Sequence, residues 1–245
     1  ENVAPTVALS GAASVEEGSA YVLTLGAVTE PGDDTLTGCT VNWGDGDSES
    51  CKPESTLTHT YADGPASRTI TVDLADEDGS HAGANSLAVA VNNVAPILDP
   101  LGLSRASIRE GESVTLNGTF SDPGLPDTHT VVVVWGDGGS DTILLTAGER
   151  EFSLDHRYLD DDPSGTAADM PIVGATVTDD DGGVDSASTT VTVDNVAPAV
   201  TAAGSTIAEN GVATVSGTIA DPGTRDTFTV LIDWGDGASQ SYSYP

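Results

Sequence analysis

The chain has 245 residues, of which 39 are acidic and 7 basic, for a formal net charge of −32. A polyanion of this density is repelled by nucleic acid and by anionic membrane surfaces, which removes both from the expected partners. Its hydrophobic content is 38% and its aromatic content 4%, so the cores must be small and built mainly of Val, Ala, Ile, Leu and Thr. Those residues fall in short alternating runs, the pattern of half-buried strands rather than of helices or disorder. No stretch is long and apolar enough to cross a bilayer, so no membrane insertion is expected, and Glu1 opens no signal sequence, so the chain reads as a mature or excised piece.

The tetrad Asn-Val-Ala-Pro occurs at Asn2–Pro5, Asn93–Pro96 and Asn195–Pro198, 91 and then 102 residues apart. Each interval holds one sandwich-sized domain, and the boundaries follow as 1–93, 94–195 and 196–245. In the first unit an edge strand from Pro5 to Gly11 leads to the turn Glu16-Glu17-Gly18 and a strand from Tyr21 to Val28. The loop from Glu30 to Asp34 follows, then a strand into Trp43 and its return through Cys51. His59-Thr60-Tyr61, a strand from Arg68 to Leu74, the acidic turn Asp76-Glu77-Asp78-Gly79 and a strand from Ser86 to Val91 complete the unit. The second unit repeats this punctuation through Glu110-Gly111, Asp122-Pro123-Gly124, Asp127, Trp135, His156-Arg157-Tyr158 and Asp179-Asp180-Asp181-Gly182. The third carries Glu209-Asn210-Gly211, Asp221-Pro222-Gly223, Asp226 and Trp234, and has no later acidic turn before Pro245. Either the chain is a piece of a longer protein or strands from elsewhere complete this half.

Trp-Gly-Asp-Gly recurs at Trp43, Trp135 and Trp234, each at the end of an alternating strand that places the indole on the core side. Asp-Gly favours a two-residue hairpin turn, so Asp45, Asp137 and Asp236 read as turn residues. Cys39 and Cys51 lie symmetrically about Asp45, where the later units have Val131 with Ile143 and Val230 with Tyr242. A cysteine pair in place of an apolar cross-strand pair suggests a disulfide and an oxidising compartment; two unlinked buried thiols are the alternative.

These motifs resemble tandem PKD (polycystic kidney disease type) domains, whose hallmark is the W-G-D-G turn followed by an H-x-Y strand and a D-x-D-G-type loop. The resemblance covers the whole chain, with two complete units and one partial. It implies an all-β fold of tandem immunoglobulin-like antiparallel β-sandwiches, found in extracellular and cell-surface proteins as stalk, spacer or interaction modules.

In such a sandwich the Asn-Val-Ala-Pro start, the Asp-Pro-Gly loop and the late acidic turn share one pole, and the W-G-D-G and Glu-Gly turns lie at the other. That groups Asn93, Asp122, Asp127, Asp179 and Asp181 in unit two, and Asn2, Asp33, Asp34, Asp76 and Asp78 in unit one. Crowded carboxylates repel without a counter-ion, and Ca2+ accepts six to eight oxygens in flexible geometry, so calcium stiffening a domain joint is the expected metal chemistry. Some PKD domains similarly bind calcium at this pole. Solvated turn residues are the alternative, since Asp and Gly are what turns use. The EF-hand pattern is absent, because the residues two before Asp76 and Asp179 are Leu74 and Val177.

His59 and His156 stand beside tyrosines on strands and read as structural hydrogen-bonding residues rather than metal ligands. The sequence has no H-E-x-x-H, C-x-x-C or G-x-S-x-G, so no catalytic residue is assigned and an enzyme is not expected. The leading expectation is a non-enzymatic stalk or spacer of a secreted or surface polypeptide, its units joined by the short linkers 91–96 and 193–198. Its partners would be neighbouring domains or other copies of itself. Two alternatives stay open: a filament subunit whose third domain is completed by strands of another copy, and an adhesion module for glycan or protein that presents Tyr242 and Tyr244.

Overall fold

The structure is a computed structural model that describes residues 3–32, 34–161 and 165–245. Unit one consists of β1 (Thr6–Ser10), β2 (Ser14–Glu16), β3 (Ala20–Thr29), β4 (Gly38–Asn42), β5 (Ser48–Ser50), β6 (Thr56–Thr60), β7 (Ala66–Ala75) and β8 (Ser80–Asn92). They form two sheets, β1-β3-β6 and β2-β8-β7-β4-β5. The first segment divides between them: β1 pairs antiparallel with β3, and β2 crosses to lie parallel to β8. Alternation does the sorting. Tyr21, Leu23 and Leu25 on β3 face Ile70, Val72 and Leu74 on β7 across a core closed by Val41, Trp43 and Tyr61.

Unit two repeats the plan with β9 (Ile97–Leu98), β10 (Gly102–Leu103), β11 (Ser107–Arg109), β12 (Ser113–Ser121), β13 (His129–Val134), β14 (Ser140–Leu145) and β15 (Glu151–Arg157). It ends with β16 (Ala168–Asp169), β17 (Ile172–Asp179), β18 (Val184–Thr190) and β19 (Thr192–Asp194). Strands β9 and β10 pair with β12, which pairs with β15; opposite lies β14-β13-β17-β18, with β11-β19-β16 at one end. Pro171 has no N–H to donate and separates β16 from β17. Unit three has β20 (Ala199–Ala203) paired with β21 (Ser216–Ala220), and β22 (Phe228–Asp233) paired with β23 (Ser239–Tyr244). Its Trp234 is only half-buried, where Trp43 and Trp135 are 1% and 0% exposed.

The W-G-D-G turn is not the expected two-residue hairpin. The Trp43 N–H donates to Asp47 O at 3.0 Å and the Trp135 N–H to Gly139 O at 3.0 Å, which encloses three residues. Glycine is required at the first of them: Gly44 and Gly136 have φ of +86° and +83°, and a Cβ there would meet a carbonyl oxygen at 2.7 Å. The aspartate does more than turn the chain. Asp137 takes the Gly139 N–H on Oδ1 at 2.8 Å and His156 Nε2 on Oδ2 at 2.7 Å; Asp45 does the same with Asp47 and His59 at 3.1 and 2.6 Å. Each imidazole stacks on the tryptophan, 4.6 Å and 8° for His156 on Trp135 and 4.7 Å and 9° for His59 on Trp43. Tyr158 and Tyr61 donate to the tryptophan carbonyls at 2.8 and 3.0 Å, and the indole N–H groups donate to Asp141 and Glu49. The histidines are thus structural and bound within this latch.

Cys39 and Cys51 are joined as a disulfide with Cα atoms 5.0 Å apart. The cysteines take the register positions that Val131 and Ile143 fill in unit two and that Val230 and Tyr242 fill in unit three. Tyr242 and Tyr244 lie on the strand face that Ile143 and Leu145 turn to the core of unit two, and are 45% and 49% exposed here.

Two outcomes follow. Burial pushes the Asp137 carboxyl up, but the His156 bond and the Gly139 N–H outweigh it and hold it below the ordinary aspartate range. This pair therefore contributes stability above that range and loses it as pH falls through the lowered value. Asp137→Ala should cost about 1–3 kcal/mol in urea unfolding at neutral pH and remove that part of the acid dependence; an unchanged midpoint would reduce the residue to a turn former. Reduction of Cys39–Cys51 reopens a short loop and should cost unit one about 3 kcal/mol while unit two melts as before, resolved by calorimetry with and without reductant.

Candidate metal centres at the domain joints

The Glu-Gly turns of units one and two each abut the unit that follows. Glu17, 1% exposed, accepts the Val94 N–H on Oε1 at 2.8 Å and the Gly64 N–H on Oε2 at 2.7 Å. It thereby ties the linker peptide to the loop that leaves β6. Gly18 lies so close to Pro123 that a Cβ would stand 2.6 Å from the proline Cβ, and the Leu125 N–H donates to Ala62 O at 3.2 Å. Unit two enters this joint with its Asp122-Pro123-Gly124 loop. Asp122 takes the Gly124 N–H at 2.8 Å and the fully buried His129 side chain at 2.9 Å.

Asp127 lies among these groups, 2% exposed, and its Oδ2 has no hydrogen-bond partner. One oxygen each from Glu17, Asp122 and Asp127 lie within 4.8 Å of one another, and a second such group joins Asp63, Asp127 and Asp181. Burial, then the charges of Glu17, Asp122, Asp180 and Asp63, push the Asp127 carboxyl up to about 7. Burial raises Glu17 as well, despite the two N–H groups it receives. Asp179 is an organiser rather than an open ligand: it accepts from Asp181 N and Gly183 N on Oδ1 and from Asn93 Nδ2 on Oδ2. That leaves Asn93 Oδ1 buried and unpartnered.

The joint between units two and three has the same frame. Glu110, 2% exposed, accepts the Val196 N–H at 2.7 Å, Gly111 approaches Pro222, and the Thr224 N–H donates to Leu159 O at 3.1 Å. Oxygens of Glu110, Asp160, Asp161 and Asp226 lie within 4.8 Å of one another. Burial first, and the neighbouring carboxylates second, raise Glu110, Asp161 and Asp226.

The structure thus brings Asp122, Asp127 and Asp181 into two overlapping groups, with Asp179 and Asn93 bonded beside them. In unit one, Asn2 and Asp33 lie outside the described residues. Asp76 is spent on the N–H groups of Asp78 and Gly79 and on His81 Nε2, and Asp34 lies among Asp76, Glu77 and Asp78, chiefly raised by burial. Among the described residues, Asp34, Asp76 and Asp78 form no group with the spacing of a metal cage. Grouping acids within single units missed Glu17, Asp63, Glu110, Asp160, Asp161 and Asp226. The recurrence of the Glu-Gly turn in units one and two was the available signal, because a turn at the far pole of one sandwich meets the near pole of the next.

No protein-family model and no curated protein matches the chain. Among solved structures, the PKD domain of an M14-like peptidase from Thermoplasmatales archaeon SCGC AB-540-F20 is 20% identical, with 42% of this chain and 98% of that one covered at a TM-score of 0.35. The amphioxus IgVJ-C2 molecule is 15% identical, covering 73% of this chain and 98% of that one at 0.37. Fibronectin(III)-like modules of Clostridium thermocellum CbhA are 14% identical, covering 76% and 93% at 0.29. The strand pairing of this chain is itself that of tandem all-β, immunoglobulin-like antiparallel sandwiches.

Proposed function

We propose that this chain is a non-enzymatic spacer segment of an extracellular or surface polypeptide, in which calcium holds successive sandwiches in a fixed head-to-tail arrangement. The observation that carries the reading is the first joint. A carboxylate of unit one, Glu17, meets Asp122 and Asp127 of unit two, and the partnerless Asp127 Oδ2 is buried among them. An all-oxygen donor set of this kind suits a hard cation, with Glu17, Asp122 and Asp127 as the charged ligands and Asn93 Oδ1 as a neutral one. Bound there, the ion would supply the positive charge that the joint lacks and cross-link two domains. The disulfide supports an oxidising, extracellular setting, and among the described residues no helix is long and apolar enough to cross a membrane.

An apolar trough on unit three favours a second reading. Val200, Ile219, Val230, Ile232 and Tyr244 line an uncovered trough that strands of a second copy would close, as in an extracellular filament.

Thermal unfolding with calcium and with chelator at fixed ionic strength tests the first reading. Calcium at a hundredfold excess over its dissociation constant should raise the melting temperature on the order of 10 °C. Asp127→Asn should lose the part due to the first joint. A wild-type curve indifferent to calcium would sink the reading. Light scattering of the same sample decides the second: polymers that grow with concentration support it, and monomers remove it.

A further inference from the structure

We infer that the joint between units two and three is a second divalent-cation site, formed by Glu110, Asp160, Asp161 and Asp226, with a different ligand set from the first. The inference rests on the reading of the joints as cation-bridged, and its experiment separates the two.

The two joints share a frame but differ at particular positions. Three residues after the latch tyrosine, unit one has Gly64, whose N–H donates to Glu17 Oε2 at 2.7 Å. Three residues after Tyr158, unit two has Asp161, and Glu110 Oε2 is left with no hydrogen-bond partner. A backbone donor is thus replaced by another carboxylate, itself 1% exposed and with Oδ1 unpartnered. The two partnerless oxygens belong to side chains more than nine-tenths buried, and both side chains contribute to the four-carboxylate group. His129, which donates to Asp122 at the first joint, has Phe228 as its counterpart, and Asp221 Oδ2 beside the cage is also buried without a partner. Hydrogen bonds thus leave oxygens open on three of these acids.

Donor chemistry points to calcium. Four carboxylates from two units suit a hard cation that accepts six to eight oxygens in flexible geometry, whereas Mg2+ demands a near-ideal octahedron and keeps several waters. Unit two supplies Asp160 and Asp161 as its chain leaves β15, and Asp160 holds the place that Asp63, two residues after Tyr61, holds at the first joint.

Calcium binding to the full chain, counted by equilibrium dialysis and by native mass spectrometry, tests this with the wild type, Asp127→Asn and the double variant Asp161→Asn/Asp226→Asn. The expected result is loss of one bound calcium in the double variant, loss of a different one in Asp127→Asn, and loss of both when the changes are combined. In chelator the double variant should also melt above the wild type, since neutralised groups no longer repel, whereas a merely structural role predicts a lower melting temperature. A double variant that keeps the full wild-type count overturns the inference while the first joint stands. A wild type with one site that only the double variant removes upholds it and removes the first joint; a wild type that binds no calcium ends both.

Discussion

A buried carboxylate that grips the linker backbone sets how each unit meets the next. Glu17 holds the Val94 N–H, and Glu110 holds the Val196 N–H. Because the acceptor sits on a turn of one sandwich and the donor on the first peptide into the following one, the bond fixes the join. It also draws a carboxylate out of water to where the aspartate loop of the next unit arrives. At an effective dielectric near 20, two charges about 5 Å apart repel by on the order of 3 kcal/mol. A frame that repeats this crowding at both joints requires something positive, a proton or a cation, and the upward shift of Asp127 to about 7 expresses the first of these options.

Within each complete sandwich the opposite economy holds. Around Trp43 and Trp135 every polar group has a partner: the indole N–H, the tyrosine hydroxyl, the imidazole and the turn aspartate are all hydrogen-bonded. Saturation of this kind suits a rigid interior, since any group left over would carry a desolvation cost. Among the described residues, four of the five buried acidic oxygens without a partner lie at the joints, on Asp127, Glu110, Asp161 and Asp221; the fifth is on Glu30. His59 and His156, inside the latch, belong to the satisfied set.

What the sequence made legible is local. Strands could be read because apolar residues alternate with the pleat, and the disulfide because two cysteines stand equidistant from a turn. The length of the W-G-D-G loop was misjudged, because Asp-Gly alone favours a two-residue turn. Two positive-φ glycines on either side of an aspartate that captures an N–H two residues on instead make a three-residue loop. The joints were half legible. Asp122, Asp127 and Asp181 announced themselves as turn acids, but Glu17 reaches Val94 across 77 residues and no local pattern encodes that meeting. Unit three shows the same limit from the other side: Tyr242 and Tyr244 are exposed, yet the register sets them opposite Val230 and Phe228, on the face that the corresponding residues of unit two bury.

The acidity of the chain and the design of its joints are linked by charge balance. A net charge of −32 spread over stacked sandwiches favours extension, because separation of the units lowers their mutual repulsion. Diffuse salt screens that repulsion over about 8 Å at physiological ionic strength and reaches a buried cage poorly. Surface charge and joint charge therefore answer to different ions: bulk salt governs the exposed aspartates, whereas the carboxylates around Asp127 and Glu110 respond to whatever occupies the space between them. In such an array the linker bond from glutamate to backbone sets direction. An ion held between the carboxylates, as proposed, would add stiffness to that direction without any change in fold.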